Sequence, residues 1–327
     1  MNKIFNLIII FYLCMETQSA SKRLLYFDND SNIDDMIAYL VIANEPTIEL
    51  IGVSFVPADC ELEIGKEVMT KLLALTHKTH LKIAYTSYQG KNPFPSFAKD
   101  YALRGLCLPK LLNIKRDDNL LVNDIRAHEH LANTILHTKK DVKVDILITG
   151  PPTNVVNAIE KYPQLRAKIG TIVWMGGAVD VEGNNDNKTS EWNCYWDPIS
   201  SKKLLTSGLD IVIFPLDATN QVLVTRDNLA KLAEQSNYDA SNLVSQLFAT
   251  AYSEGDYYMW DILAASYFIC NNHVQYRKVE LDVIVGGEED GKIIKKKGSG
   301  AFVRVADKVN VEMFYEHFFK ALRYNFE

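Results

Sequence analysis

The sequence predicts an α/β fold: one domain on an open, mostly parallel central sheet with helices on both faces, in Rossmann-like style. Three observations carry this. Short runs rich in β-branched residues alternate with helix-like segments along most of the chain. The runs are apolar almost throughout, as strands covered on both sides must be. Acidic, amide and glycine residues cluster where the runs end ("DND", "VPAD", "TGPPTN", "MGG", "PLDATN"), and the ligand crevice of an open α/β sheet lies at that rim.

The elements follow in order. "RLLYF" (23 to 27) reads as the first strand, with a helix from about Asp34; "IELIGVSF" (48 to 55) is the second, with a helix from about Cys60, and "LKIAY" (81 to 85) the third. "VKVDILI" (142 to 148) leads to a helix opening at Thr153, "IGTIVW" (169 to 174) to a helix from Pro198, and "LDIVIF" (209 to 214) closes the series. Helices are predicted over 226 to 235 and 240 to 270. The strand-like "VELDVIV", "KIIK" and "AFVRV" come next, then a last helix near 311 to 324. No linker, repeat or low-complexity tract divides residues 21–327.

A chain of 327 residues with a net charge of −6 has the length for a large core and lacks the clustered cations that neutralise nucleic-acid phosphates. Lys295, Lys296 and Lys297 read as a solvated turn. Residues 1–20 stand apart: Lys3, the apolar "IFNLIIIFYLC", then a polar stretch with small residues, which is the pattern of a secretory signal peptide. The apolar run is shorter than a membrane span of about 20 residues. The expectation is a secreted or lumenal chain with no stable membrane span after cleavage. Cys60, Cys107, Cys194 and Cys270 then remain, an even number that leaves disulfides open and their pairing unassigned. Asn187-Lys188-Thr189 is a glycosylation sequon; Asn29-Asp30-Ser31 is another, inside an acidic cluster and not expected to be used.

That cluster, "DNDSNIDD", places Asp28, Asp30, Asp34 and Asp35 within eight positions. Like charges this close raise one another's pKa values unless a cation compensates, and a hard divalent ion held by oxygens does so. The EF-hand spacing is absent. Asp34 and Asp35, taken alone, also suit the first turn of a helix. A bare DxD occurs in phosphatases and in sugar transferases. The phosphatase pattern fails at Asn32, and no nucleotide-binding half is visible for the transferase.

"DNDSNIDD" resembles the DxDxxxDD fingerprint of the nucleoside hydrolases, enzymes that cleave the N-glycosidic bond of ribonucleosides with water. "ITGPPTNV" (148 to 155), "WMGGAVDVEGN" (174 to 184), "SEWNCYWDP" (190 to 198), "PLDATN" (215 to 220) and "YYMWDILAA" (257 to 265) are similar to further segments of that family, in the family's order. The resemblance implies a bound Ca²⁺, with Asp30, Asp35, the Thr149 carbonyl and Asp261 as protein ligands and Asp30 also as the base that deprotonates water. It implies that Asp34, Asn184, Glu191, Asn193 and Asp261 hold the ribose hydroxyls, that Asp28 supports the cluster, and that Asn32 and Met175 line the pocket. It also suggests a homodimer.

Where many members carry a His before the late Asp, this chain has Trp260. That resembles the purine-preferring branch, in which stacked aromatics make the leaving base basic enough for solvent to protonate. Asp59 in "VPADC", Trp192 in "EWN" and the "NPFPSF" segment (92 to 97) are similar to that branch as well. The resemblance implies Phe97 or Tyr101, neither of them a Trp, as the second stacking aromatic, and Tyr257 closing over substrate in a segment, "SEGDYY", that lacks the branch's Arg. The implied activity is purine nucleoside hydrolysis, with a broader or pyrimidine-accepting hydrolase, or a binding protein without turnover, as the alternatives. On periodicity alone Trp260 is a core residue and Met175 a core filler. Trp174 and Trp196 read as packing residues, and His128 and His130 as surface or capping residues.

Overall fold

The computed structural model of the chain describes residues 22–93, 100–122, 126–186, 188–252, 255–298 and 300–326. Its first half alternates β1 (Arg23–Asn29), α1 (Ile33–Ala43), β2 (Ile48–Phe55), α2 (Leu62–Leu75) and β3 (Ile83–Tyr85), then α3 (Asp100–Leu106), α4 (Pro109–Leu112) and α5 (Ala127–Leu136). The middle runs through β4 (Val144–Ile148), α6 (Thr153–Lys161), β5 (Ile169–Met175), α7 (Trp192–Trp196), α8 (Pro198–Leu205), β6 (Asp210–Phe214) and α9 (Leu216–Thr219). The last part comprises α10 (Arg226–Glu234), α11 (Asp239–Tyr252), α12 (Trp260–Ser266), β7 (Val274–Val283), β8 (Ile293–Lys295), β9 (Ala301–Val309) and α13 (Val311–Ala321).

The strands form one sheet in the order β3-β2-β1-β4-β5-β6-β9-β7-β8. Pairing is parallel from β3 to β9, and β7 runs antiparallel to both β9 and β8. Side chains alternate across it with the two-residue period of a strand. Leu25 and Phe27 of β1 and Val173 and Met175 of β5 join the core beneath α1, α2, α11, α12 and α13. Tyr26, Ile172 and Trp174 join the opposite core beneath α5, α6 and α8. Continuously apolar runs are thus consumed on two faces at once. The chain steps from β1 to β2 on one side and returns to β4 on the other, so the strand order reverses between β1 and β4. A crevice opens at such a switch point, outside the carboxyl ends of the two strands.

Three sequence expectations change. The helix predicted over 240 to 270 is two helices, because residues 257–259 are drawn into an extended pairing with 222–224: the Val224 amide donates to the Tyr257 carbonyl (2.8 Å) and the Met259 amide to that of Val222 (2.9 Å). Gly255, at φ 137°, lies in this interruption. Helical periodicity cannot register so distant a partner. "LKIAY" yields only the three-residue β3 at the sheet edge. His130 is a packing residue, not a surface one: its Nδ1 lies 2.9 Å from the Tyr26 hydroxyl, and burial pushes its pKa down to about 4.

Trp174 is fully buried, with its Nε1 donating to the Gly150 carbonyl at 3.1 Å. Trp174→Ala is expected to cost about 3–5 kcal/mol, read as a lower urea midpoint at unchanged slope. A loss below about 1 kcal/mol would mean that this face repacks.

Candidate active site

The rim between β1 and β4 carries the acids. β1 ends at Asn29, and the chain turns into α1 through Ser31, whose φ of 68° is uncommon for a residue with a Cβ. Asn32 then caps the helix. Its side chain accepts from the Ile33 amide at 2.8 Å, and Asp35 reaches back to the Asn32 amide, also at 2.8 Å. The cap therefore fixes Asp35, and the turn fixes Asp30 beside it. Gly150 follows β4 because a Cβ there would meet that of Asp30 at 2.9 Å.

Asp28 lies below this floor, fully buried, with Oδ1 accepting from Ser54 and Asn154. Its Oδ2 is buried without a partner. Burial raises its pKa to about 7, against the bonds from Asn154 and Ser54. Asp35 accepts from the Thr149 hydroxyl (2.5 Å) and the Asp30 amide (3.3 Å). Asp34, Asp35 and Asp261, the last from the first turn of α12, each bring a carboxylate oxygen within 4.8 Å of the others. Burial, then the neighbouring carboxylates, push Asp30 and Asp261 well above the ordinary range. The same causes raise Asp34 to about 7, although Tyr257 bonds to it. So many acids raised at one point would, once ionised, be uncompensated negative charge, and hard oxygens at this spacing suit a divalent cation.

The floor opens into a cavity of about 220 Å³ lined by Asp30, Asn32, Asp34, Thr149, Met175 and Asp261, by Asn184, Glu191, Trp192 and Asn193, and by Asp59, Tyr101, Tyr257 and Trp260. Among the described residues, no Lys, Arg or His lines it. Glu191 caps α7, accepting from the amides of Asn193 (2.8 Å), Cys194 (3.1 Å) and Gly177 (2.7 Å), so its carboxylate is held rigidly. Asn193 donates to the Thr149 and Met175 carbonyls, each at 3.3 Å. Asn184 accepts from the Trp192 amide at 3.0 Å, and Asn32 donates to Asp59 at 2.6 Å. Trp260 packs edge-on to Tyr257, 4.9 Å between ring centroids, with its Nε1 buried and unpartnered.

Every proposed site residue among the described ones lines this cavity, except Asp35 and Asp28, which are buried beside it. Phe97 and Asn187 lie outside the described residues, as do residues 1–20; Tyr101 does line the cavity. Asn29 is fully buried, in keeping with an unused sequon. No disulfide joins Cys107, Cys194 and Cys270. Among the described residues, no helix is long and apolar enough to cross a membrane.

Sequence reading missed Asp256, which lines the cavity mouth, and Arg277, which lies outside it. Arg277 pairs with Asp180 (2.7 Å), Asp217 (3.2 Å) and Asp307 (2.9 Å). Asp217, the acid of "PLDATN", also takes the Val179 and Asp180 amides, each at 2.8 Å. This clamp fixes the loop that leads to Asn184. Only the motif itself hinted at it.

A rim cavity with a carboxylate floor and aromatic walls suits glycosidase-type chemistry, in which positive charge develops on a sugar carbon. The chain belongs to the inosine-uridine preferring nucleoside hydrolase family, whose model matches residues 25–316, and it is accordingly an N-glycosidase acting on nucleosides. It is similar to the pyrimidine-specific ribonucleoside hydrolase RihB of Escherichia coli (strain SE11), 28% identical over 232 residues, 69% of each chain. The inosine-uridine preferring nucleoside hydrolase of Bacillus anthracis superposes with a TM-score of 0.84 at 28% identity, over 92% of this chain and 99% of that one. The purine-preferring ribonucleoside hydrolase of Gardnerella vaginalis shares the fold, with a TM-score of 0.75 at 22% identity, over 92% of this chain and 98% of that one.

Asp28 and Asp34, at about 7 when folded, bind protons more tightly than in the unfolded chain, where an Asp titrates near 3.9. Their contribution is therefore complete below about pH 4 and lost as pH rises through about 7. Protein stripped with chelator should show a melting temperature that falls across this window, and excess divalent ion should flatten the fall. A chelated protein that gains stability from pH 5 to 7.5 would contradict this charge balance.

Proposed function

We propose that the chain is a secreted, Ca²⁺-dependent purine ribonucleoside hydrolase that converts inosine, adenosine or guanosine and water into ribose and free base. The observation that carries this reading is the set of raised, buried carboxylates beneath a cavity that, among the described residues, no cationic side chain lines. The donor set fits a hard divalent ion: carboxylates of Asp30, Asp35 and Asp261 with the Thr149 carbonyl, and Asp34 grouped closely with two of them. When bound, such an ion supplies positive charge that offsets these acids, acidifies water and fixes a sugar diol.

The chain's own residues do the rest. Asp30 takes a proton from the attacking water as its oxygen bonds to C1′. The C1′–N bond breaks, the electron pair stays on the base nitrogen, and solvent returns a proton to the base. Positive charge developing at C1′ is favoured by the surrounding carboxylates. Asp34, Asn184, Glu191, Asn193 and Asp261 hold the ribose, with Asn32 and Met175 against it. Trp260 stacks on the base, opposite Phe97 or Tyr101, while Trp192, Asp59 and Tyr257 bound the base side. Purine preference rests on Trp260 standing where a His acid stands in other members, so that stacking must make the base leave. The likeness to the pyrimidine-specific RihB favours a second reading, a broader or pyrimidine-accepting hydrolase. Residues 1–20 serve as the signal peptide, residues 21–327 form the enzyme, and the working form is a homodimer.

Turnover of inosine and uridine, each with and without chelator, separates the readings: inosine alone supports the proposal, both point to the broader enzyme, and neither leaves a binding protein. Full activity in EDTA would remove the metal from the scheme. Asp30→Ala is expected to lower kcat by about a thousandfold while inosine binding persists, because the base is lost and the ribose contacts remain. Trp260→Ala should slow inosine far more than a riboside whose leaving group needs no proton; equal losses would make Trp260 a packing residue.

A further inference from the structure

The turn that carries Asn184 and the start of α7 that carries Glu191 are joined through a buried side chain, Asn185, which is 4% exposed and does not line the cavity. Its Oδ1 accepts from the amides of Thr189 (3.0 Å) and Ser190 (3.2 Å), and its Nδ2 donates to Ser190 Oγ (3.0 Å). The Asn185 amide donates to the Ser190 carbonyl as well, at 3.1 Å. Ser190 Oγ gives its own proton to the Asp290 carbonyl (2.9 Å), on the turn between β7 and β8. That turn is itself fixed, because the Asp290 carboxylate accepts from Lys91 Nζ and the Gly286 amide, each at 2.6 Å. Gly183 lets the two limbs close, since a Cβ there would collide with the Ser190 backbone. Asn184 and Glu191, the sequence neighbours of this bonded pair, both line the cavity.

The two neighbours depend on Asn185 unequally. Glu191 gathers three amides of its own and stays in place without help. Asn184 is exposed, and among the described residues its side chain bonds only to the Trp192 amide. The Arg277 clamp acts farther upstream, on Val179 and Asp180. We propose that Asn185 is a positioning residue that holds Asn184 at the ribose side of the cavity, by locking its turn against the start of α7. This deepens the hydrolase reading above and rests on it. Removing the Asn185 side chain leaves the buried Ser190 amide without an acceptor, and such a group regains a partner only if water enters. The turn must then open, which draws Asn184 away from the Trp192 amide and weakens the grip on the sugar.

The test uses the full enzyme with inosine or uridine, whichever the unaltered protein turns over faster, and D-ribose as a base-free inhibitor. Asn184→Ala is expected to raise the nucleoside KM about tenfold and Asn185→Ala about fivefold, each with kcat within about twofold and ribose inhibition weakened in step. The double variant should be no worse than Asn184→Ala, whereas independent losses would multiply to about fiftyfold. Losses that multiply, a KM that does not move in either single variant, or a fall in kcat in place of the rise in KM overturns the proposal. Should Asn185→Ala fail to fold, Ser190→Ala, which removes the partner of Asn185 Nδ2, enters the same cycle and is judged in the same way. Absence of turnover in the unaltered protein would instead refute the hydrolase reading, so the two failures are distinct.

Discussion

Mutual repulsion among buried carboxylates is the constraint on which the rest of the molecule is built. Water would relieve it at once, yet Asp28, Asp30, Asp35 and Asp261 are almost wholly shielded from water. Such a cluster persists only if the surrounding backbone leaves its members nowhere else to go and if something positive, a proton or a cation, shares the space. The capping box of α1, the left-handed Ser31 and the bare Gly150 are the means of confinement.

The sheet explains why confinement falls here. Because the order of the parallel strands reverses around β1 and β4, a gap is left at their carboxyl ends, and the loops around it meet without having to cross. Polar side chains delivered by separate loops can then be fixed by one another. Asn193 is tied to the loops after β4 and β5, and Glu191 gathers three amides. The ligand-facing groups are therefore part of the scaffold that holds the loops, and few of them are free to adapt.

The strands were legible because burial on two faces leaves an apolar run that no solvent-facing element shows, and the acids were legible because their spacing is local. What stayed hidden is long-range. The break before Trp260 comes from pairing with residues 222–224, which no window of sequence contains. Arg277 and Asp290 are ordinary charged residues until the fold places their partners around them. Asp256 is likewise unremarkable in "SEGDYY" and becomes a cavity residue only in the folded chain.

One arrangement bears on how the chain is made. The floor joins Asp34 and Asp35, from the start of the sequence, with Asp30 beside them, to Asp261, from near its end. On the ribosome, the first acids emerge long before the last, so a nascent chain carries an open, incomplete floor for most of its synthesis. The acidic floor is then closed only when translation is almost finished, and a truncated product that keeps the N-terminal half of the sheet lacks it.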